Sequence, residues 1–276
     1  MISPLRYPGG KQRAAKKLVD LFELPCQEFR EPFVGGGSIF LEVLRRYPDM
    51  KIWINDLNPE VYWFWVSAKH HLVDTVNHVL WLKQMYLGEG QKLFNCLRYP
   101  YQVDMWMPAE RAARFFVLNR ITFSGTIESG GYSRQAFESR FTDSSINRLE
   151  KLDGLLKNVE ITNLDYSEVL SSPGGAFIFC DPPYCANSKS KLYGKNGDLH
   201  DGFDHDRFAK EMRSCPHPWL VTYDDCQRVR TMFDFADIQE FNLQYGMNNV
   251  GKGNAPLGNE LIINFPLINK VTKPTG

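Results

Sequence analysis

Four consecutive residues, Asp181, Pro182, Pro183 and Tyr184, have the clearest potential for chemistry. The prolines remove two main-chain donors and stiffen the turn, so the carbonyl groups of Asp181 and Pro182 become fixed acceptors beside a carboxylate and an aromatic ring. An exocyclic amino group can donate both of its hydrogens to such acceptors, which moves its nitrogen toward a localised, nucleophilic lone pair. The tetrapeptide predicts a site that activates the amino group of a base stacked on Tyr184, although the same residues would also suit a rigid surface turn.

A glycine turn is the second chemical feature. Phe33 and a valine precede three glycines, of which Gly35 and Gly37 are the first and last, and a helical pattern follows. Glycines let the main chain approach a ligand closely. A dinucleotide-binding turn would carry a third motif glycine where this chain has Phe40, which disfavours NAD and favours another nucleoside ligand. Asp56, about 20 residues on, is suited to accept hydrogen bonds from ribose hydroxyls; its alternative role is to cap the helix that follows.

The amino-terminal string RYPGGK is the third feature. Lys11 in this string could hold a carboxylate as a point charge, and Tyr7 could pack on a flat group. The alternative is a flexible turn before the helical sequence QRAAKKLVDLF.

Apolar runs alternate with helical patterns in the way that is typical of an α/β protein with a mostly parallel sheet. Because such sheets place their sites at the carboxyl ends of the strands, the tetrapeptide, the glycine turn and Asp56 should lie along one edge. About seven strands are predicted, at 29–34, 51–55, 159–164, 176–180, 219–223, 237–244 and 260–265.

The stretch 60–155 does not follow this alternation and is predicted to be an insert between the second and third strands. It contains a helical run, PAERAARFFVLNR, then the glycine- and serine-rich ITFSGTIESGGYS, which we expect to form a β-hairpin, and then an amphipathic helix. The sequence thus predicts a main domain made of 1–59 and 156–276.

Composition limits the class of protein. The chain has 276 residues, of which 43% are hydrophobic and 23% charged, enough to bury a full core and incompatible with general disorder. Its six cysteines form no C-x-x-C pair, and no histidine cluster has a metal-ligand spacing, so we expect reduced thiols and no metal. The sequence lacks an apolar run that would cross a membrane and an evident signal peptide, which favours a cytoplasmic location.

The net charge of zero hides an uneven distribution of charges. Residues 1–20 hold five bases against one acid, and 110–157 hold eight bases against six acids. Residues 201–241 hold nine acids against five bases. Such asymmetry can steer a polyanion toward one side of the protein, with modest affinity that falls quickly as salt increases.

Taken in chain order, the motifs RYPGGK, EPFVGGGS, NDLN, NLDY and DPPY resemble those of the Dam-type (D12 class) family of adenine-N6-specific DNA methyltransferases. The resemblance implies a methyltransferase with a Rossmann-like sheet that uses S-adenosylmethionine as methyl donor. It also implies that the insert 60–155 is a mostly helical target-recognition domain containing the β-hairpin. It also implies double-stranded DNA as partner and a target adenine flipped out of the duplex.

The resemblance also implies roles for individual residues. Asp181 to Tyr184 would grip the target adenine. Asp165, in NLDY, would meet the adenine amino group of the donor, although it could equally cap the next helix. The residues implied to contact the donor are Tyr7, Lys11, Phe33, Gly35, Gly37, Asp56, Asp165 and Asp181.

The recognition segment matches the family only in part. Asn119 and Arg120, followed by ITFSG, resemble the approach to the recognition hairpin of GATC-specific members, but the agreement ends after Gly125. Those members carry a hairpin arginine suited to guanine; here Arg134 could serve from a shifted register, or Glu128 could accept from cytosine. The recognition sequence therefore stays open. The expected DNA contacts are Asn119, Arg120, Ser124, Glu128, Arg134 and Lys252, and 185–202 is expected to be a lid over the substrate or else disordered.

Other functions compete with this interpretation. A related enzyme could methylate cytosine N4, adenine in RNA or a protein amide, but Asp181 and the motif order favour adenine in DNA. A DNA-binding module without catalysis should have lost Asp181, Tyr184 or the glycine turn, and all are present. An NAD-dependent oxidoreductase is disfavoured by Phe40. We further expect a monomer in solution, with a cognate restriction endonuclease as a second potential partner.

Overall fold

Seven strands form one mixed sheet in the computed structural model, which describes residues 2–7, 9–99, 102–127, 130–185, 202–243 and 258–265. The strands are β1 (Glu28–Glu31), β2 (Lys51–Asn55), β3 (Val159–Thr162), β4 (Ala176–Cys180), β5 (Trp219–Asp224), β6 (Asp237–Leu243) and β7 (Gly258–Phe265). The α-helices are α1 (Ala15–Val19), α2 (Ser38–Arg46), α3 (Pro59–His70), α4 (Leu72–Met85), α5 (Gly90–Arg98), α6 (Pro108–Ile121), α7 (Arg134–Arg140), α8 (Asp143–Glu150), α9 (Tyr166–Ser171), α10 (His205–Ser214) and α11 (Gln227–Met232).

The strand order is β3-β2-β1-β4-β5-β7-β6, with β7 antiparallel to both of its neighbours. The first five strands in this order run parallel, and the chain leaves β1 toward β2 on one side and returns to pair β4 on the other. The carboxyl ends of β1 and β4 therefore lie at the point where the strand order reverses, which is where open α/β sheets bind their ligands. The predicted α/β sheet is confirmed, although β1 ends at Glu31, because Pro32 has no N–H to continue the ladder.

Helices α3 to α8 occupy the chain between β2 and β3. Helix α6 is their centre: it packs against α3, α4, α5 and α7, and all of its residues except Pro108 and Glu110 are buried. A helix that is buried on every face cannot stand alone and needs neighbours all round it. The hydrophobic core runs without a break from the sheet into these helices, through residues such as Phe40, Phe64 and Phe115. The separation of the chain into a catalytic domain (1–59 and 156–276) and a target-recognition insert (60–155) stays a prediction.

Of the β-hairpin expected in the insert, the described residues show only the base. In 122–127 and 130–133, one antiparallel bridge joins Thr122 to Tyr132, and Phe123–Gly125 forms a 3₁₀ turn. The physical reason is the main chain, which takes positive φ angles at Ser124, Gly125 and Ile127. Left-handed residues cannot extend a strand, so the segment is a loop closed at its base.

Among the described residues, no helix combines the length and the apolar composition that a bilayer crossing requires. The same residues contain no cluster of histidine, cysteine and carboxylate side chains that could hold a metal ion. All six cysteines are free thiols.

Candidate active site

The predicted site lies at the carboxyl edge of the sheet, where the residues that follow neighbouring strands meet. Glu31 ends β1, Asp56 follows β2 and Asp181 follows β4. Because β1, β2 and β4 are parallel neighbours, three carboxylates separated widely in sequence are brought to one edge.

Lys11 joins the amino-terminal motif to the tetrapeptide. Its ammonium donates to Asp181 Oδ1 at 2.9 Å, to Asp181 Oδ2 at 3.0 Å and to the Tyr184 hydroxyl at 2.7 Å. It also lies 3.5 Å from Glu260 Oε1 and 5.0 Å from the centre of the Tyr184 ring. Lys11 is only 3% exposed, so this charge is removed from water and is held by the two carboxylates. The carboxylates that Lys11 contacts thus belong to the protein itself.

The carboxylate of Asp181 accepts hydrogen bonds from three side chains. Besides the two bonds from Lys11, its Oδ1 accepts from the Thr222 hydroxyl on β5 at 2.7 Å and from the Tyr184 hydroxyl at 3.2 Å. Oδ2 accepts only from Lys11 among the described residues and so keeps acceptor capacity. Within the described residues, no group donates to the main-chain carbonyls of Asp181 or Pro182, as the two prolines predict.

Glu260 is the site residue that sequence reasoning missed. It lies near the start of β7, opposite Asp224 at the end of β5, and the antiparallel direction of β7 brings its first residues to the carboxyl edge. Glu260 is 2% exposed, its Oε1 accepts from the Tyr184 hydroxyl at 2.8 Å, and its Oε2 is buried without a hydrogen-bond partner. The available signal was a charged residue opening the apolar run ELIINF.

Three carboxylates of this edge, Glu31, Asp56 and Glu260, hold protons more tightly than usual. Burial, reinforced by Asp181 and opposed by Lys11, raises the pKa of Glu260 to about 7. Burial raises the pKa of Asp56 to about 6, against the effect of hydrogen bonds from the main chain of Asn58 and Gly35. Burial also raises the pKa of Glu31 well above its usual range. Among the described residues, these carboxylates outnumber the one ammonium of the site, that of Lys11, and a cationic ligand would favour their ionised forms.

The glycine turn packs against aromatic rings. A Cβ on Gly35 would lie 2.8 Å from Tyr7 Cε1, and one on Gly37 would lie 2.5 Å from Phe40 Cε1 and overlap the ring of Trp65. Both glycines have positive φ angles, 43° and 70°. The turn therefore requires glycine both for its main-chain conformation and for the space that Tyr7 and Trp65 occupy.

Asp56 is half-buried and binds this turn directly. Its Oδ2 accepts from the Gly35 main-chain N–H at 2.8 Å, and its Oδ1 accepts from the Asn58 N–H at 2.9 Å. Asn58 takes the cap position of α3, with its side chain accepting from Glu60 N–H. The alternative role predicted for Asp56, capping the helix, thus belongs to Asn58, two residues later.

Phe33 and Asp165 lie at the side of the site toward α9 and α10. The Phe33 ring packs against Tyr166, 5.4 Å between ring centres, and against Phe208 of α10. Asp165 caps α9 by accepting from the Ser167 N–H, and it pairs with Arg207 at 2.8 Å. Partial burial raises the pKa of Asp165, but the hydrogen bonds from Arg207 and Ser167 outweigh it and leave that pKa below the usual value. The capping role that the sequence left open is the one present here.

The four described residues expected to contact DNA differ in exposure and in their partners. Asn119 is fully buried, and its side chain bonds both the main-chain N–H and the carbonyl of Arg6. Arg120 is 3% exposed, whereas the Arg134 side chain is 83% exposed and pairs with Glu138. Ser124 is half-buried in the loop after α6. Glu128, Lys252 and the predicted lid from 186 to 201 lie outside the described residues.

Comparison with known families identifies this arrangement. The family described as D12 class N6 adenine-specific DNA methyltransferase matches residues 7–247, from the tyrosine of the first motif to beyond β6. The chain belongs to this family. Its mixed seven-stranded sheet with flanking helices is consistent with a Rossmann-like methyltransferase.

Individual relatives are similar over most of their length. The type II methyltransferase M1.LlaDCHI of Lactococcus lactis subsp. cremoris is 25% identical over 223 residues, which cover 76% of this chain and 74% of the relative. The type II methyltransferase M.MjaIII of Methanocaldococcus jannaschii is 24% identical, covering 76% and 78%. A DNA adenine methylase of Vibrio cholerae is 26% identical, covering 70% of both chains. The family implies a methyl donor, S-adenosylmethionine, and DNA as the methylated molecule.

Proposed function

We propose that the protein is a site-specific DNA methyltransferase that transfers a methyl group from S-adenosylmethionine to N6 of an adenine in duplex DNA. The observation that carries the proposal is the pair of hydrogen bonds that Asp181 accepts from Lys11 and Thr222. These bonds hold the tetrapeptide at the point where the strand order of the sheet reverses, in a chain that belongs to the adenine-N6 family.

The charges at the site fit the methyl donor. S-adenosylmethionine carries a sulfonium and an ammonium, and the site offers buried carboxylates in excess of its one lysine, including the unpartnered Oε2 of Glu260. We assign the donor-binding role to the residues around the glycine turn. Each carboxylate oxygen of Asp56 accepts one main-chain hydrogen bond and can accept another, so Asp56 is available to the ribose hydroxyls. The donor supplies an electrophilic methyl carbon when bound.

The acceptors around Asp181 fit the target amino group. The free capacity of Asp181 Oδ2 and the unpaired carbonyls of Asp181 and Pro182 would accept the two N6 hydrogens, and this localises the nitrogen lone pair. The N6–methyl bond would then form as the methyl–sulfur bond breaks, with the electron pair left on sulfur and the surplus N6 proton released to solvent. The residues here contribute orientation and preorganised acceptors and supply no covalent nucleophile.

Access to N6 requires base flipping. In a duplex the adenine amino group lies in a stacked pair, so the base must leave the helix, at a cost of about a few kcal/mol in unstacking. The loop after α6, with Ser124 and the undescribed Glu128, is our candidate for reading the flanking sequence, and Arg134 offers an exposed guanidinium nearby in sequence. We assign Asn119 a positioning role, because its amide is used on Arg6. A GATC-like site, a monomeric state, a cytoplasmic location and a cognate restriction endonuclease stay predictions.

One experiment tests the function and supplies the specificity. Unmethylated genomic DNA is incubated with the protein and S-adenosylmethionine, and modified bases are mapped by long-read sequencing. N6-methyladenine confined to one short motif supports the proposal. N4-methylcytosine, or no product from folded protein that binds the donor, contradicts it.

A further inference from the structure

Four arginine side chains from separate segments lie near enough to one another beside the end of α6 to interact electrostatically. They are Arg6 from the amino-terminal motif, Arg120 from α6, Arg140 from α7 and Arg148 from α8. Arg6 Nη1, Arg120 Nε and Arg148 Nε are buried without a hydrogen-bond partner. None of the four side chains forms an ion pair with a carboxylate in the part of the chain that the structure describes. We call these residues the arginine cluster.

The side chain of Asn119 ties the main chain of Arg6 to α6. Asn119 accepts from the N–H of Arg6 at 2.8 Å and also donates to the carbonyls of Arg6 and Gly125. Arg6 is thereby held against the turn of α6 that carries Arg120. The Arg120 guanidinium lies over the Phe116 ring, 5.3 Å from its centre, which holds the side chain in place without neutralising its charge.

Two other buried arginines of α6 are paired with a carboxylate, unlike Arg120. Arg111 and Arg114, earlier on the same helix, are also buried, and both pair with Glu60 of α3, with Arg111 Nε at 2.8 Å and Arg114 Nη1 at 3.3 Å from its oxygens. The fold therefore supplies a carboxylate for two buried arginines of this helix. It supplies none at Arg120, among the described residues.

Such a cluster is costly unless an anion completes it, because the charge of Arg120 is taken out of water without a partner and lies near three further positive charges. The mutual repulsion is visible in the arginines themselves. Burial, followed by the charges of Arg148, Arg6 and Arg140, lowers the pKa of Arg120 to about 9. Burial and the charge of Arg140 likewise lower the pKa of Arg6. Arginine is cationic at neutral pH even so, and an anion is therefore the ligand that this site favours.

We infer that the arginine cluster binds a phosphodiester group of the DNA backbone. Planar guanidinium forks match phosphate oxygens in charge and geometry. The cluster adjoins the loop of 122–127, so a duplex presented to that loop would place a phosphate within its reach. The inference rests on the proposed function, and it assigns to Arg6, Arg140 and Arg148 a contact that carries no base specificity.

The test compares salt dependence of DNA binding. Arg140→Gln and Arg148→Gln each remove one charge of the cluster, and Arg213→Gln is the matched control, because Arg213 is an exposed arginine of α10 paired with Asp234. Affinity for duplexes of several sequences is measured from about 50 to 300 mM salt. We expect each cluster variant to weaken binding equally for all sequences and to lower the slope of log affinity against log salt by about one. The donor KM should not change, and the control should match the wild type.

Thermal unfolding with and without inorganic phosphate completes the test. We expect phosphate to raise the Tm of the wild type more than that of Arg148→Gln, and the Tm of this variant without anion to equal or exceed the wild-type value, since a repulsive charge is removed. Wild-type slopes in both cluster variants would overturn the inference while leaving DNA methylation intact. Phosphate stabilisation with unchanged DNA affinity would make the cluster a free-anion site and also overturn it. Failure of the wild type itself to bind duplex DNA would instead sink the proposed function.

Discussion

The ammonium of Lys11 lies 2.9 Å from Oδ1 of Asp181, although 170 residues separate them in the chain. One residue comes from a glycine-containing turn before α1, and the other follows the central strand β4. The contact joins the first motif of the chain to the tetrapeptide and brings Tyr184 and Glu260 into one buried network. Residues in such a network act on each other, so substitutions of its members should not be additive.

Asp181→Ala should abolish methyl transfer and leave duplex binding largely intact. The substitution removes the acceptor that faces the target amino group, and loss of one preorganised group typically costs about 10²–10³ in kcat. Methyl transfer is measured with labelled donor, and duplex binding by fluorescence anisotropy. Thr222→Val is the informative companion, because it removes one hydrogen bond to Asp181 and keeps the carboxylate. Near-wild-type turnover in Asp181→Ala would refute the assigned role.

Lys11→Met should destabilise the fold, and more so at high pH. The substitution leaves Asp181 and Glu260 without their shared cation, and breaking a buried pair costs about 3–5 kcal/mol. Without Lys11 these two carboxylates repel each other uncompensated. The remaining stability is therefore present at lower pH, where Glu260 is protonated, and is lost as pH rises and Glu260 ionises. The free energy of unfolding by urea is compared at about pH 6 and pH 8, on either side of the pKa of Glu260. Lys16→Met is the control, since Lys16 is exposed on α1; equal losses at both pH values would contradict the network.

Glu260→Gln should flatten the pH dependence of stability. The pKa of Glu260 is about 7 in the folded protein against an ordinary 4.5, so the folded state binds this proton more tightly than the unfolded state does. Its contribution to stability is complete below pH 4.5 and is lost as pH rises through 7. Glutamine cannot titrate, so the variant should lose less stability than the wild type between about pH 5 and 8 in urea titrations. Parallel curves for the two proteins would show that Glu260 does not titrate in this range.

The same variant should alter donor binding if Glu260 faces the cationic donor. Ionised Glu260 attracts the sulfonium and ammonium, so the wild-type KM for S-adenosylmethionine should fall as pH rises through about 7, and the KM of Glu260→Gln should change less. The KM for DNA serves as the internal reference, since it should respond similarly in both proteins. A donor KM with the same pH profile in both proteins would separate Glu260 from donor binding.

Gly37→Ala should destabilise more than a glycine substitution in open space. The new Cβ would lie 2.5 Å from Phe40 Cε1, at a φ of 70°. Gly154 has a similar φ of 68°, and a Cβ there would meet nothing within 4 Å, so Gly154→Ala carries the left-handed strain alone, about 1–2 kcal/mol. Crowding should add about 1–3 kcal/mol at Gly37. Equal urea midpoints for the two variants would show that the turn repacks freely.

Local patterns in the chain were enough to predict the strands, the polar residues that follow them and the family. Apolar runs locate buried parallel strands because both faces of such a sheet are covered, and all five residues of β4 are buried as that pattern requires. The carboxyl-end rule then predicted that Asp56 and Asp181 would share one edge. The motif order predicted the D12 class, which the comparison confirms.

The partners that these residues take depend on the folded chain. Strand direction and register bring Glu260 of β7 opposite Asp224, and no local pattern encodes a pairing across such a distance. The predicted hairpin is reduced to its base in the described residues, because three positions in 124–127 have positive φ angles. The side chain of Asn119 in α6 donates to the Gly125 carbonyl of this loop, a tertiary contact that no local pattern encodes. Local sequence sets periodicity and turn chemistry, whereas charge compensation is a property of the folded neighbourhood. Arg111 and Arg120 are both buried arginines of α6, but among the described residues only Arg111 has a carboxylate beside it.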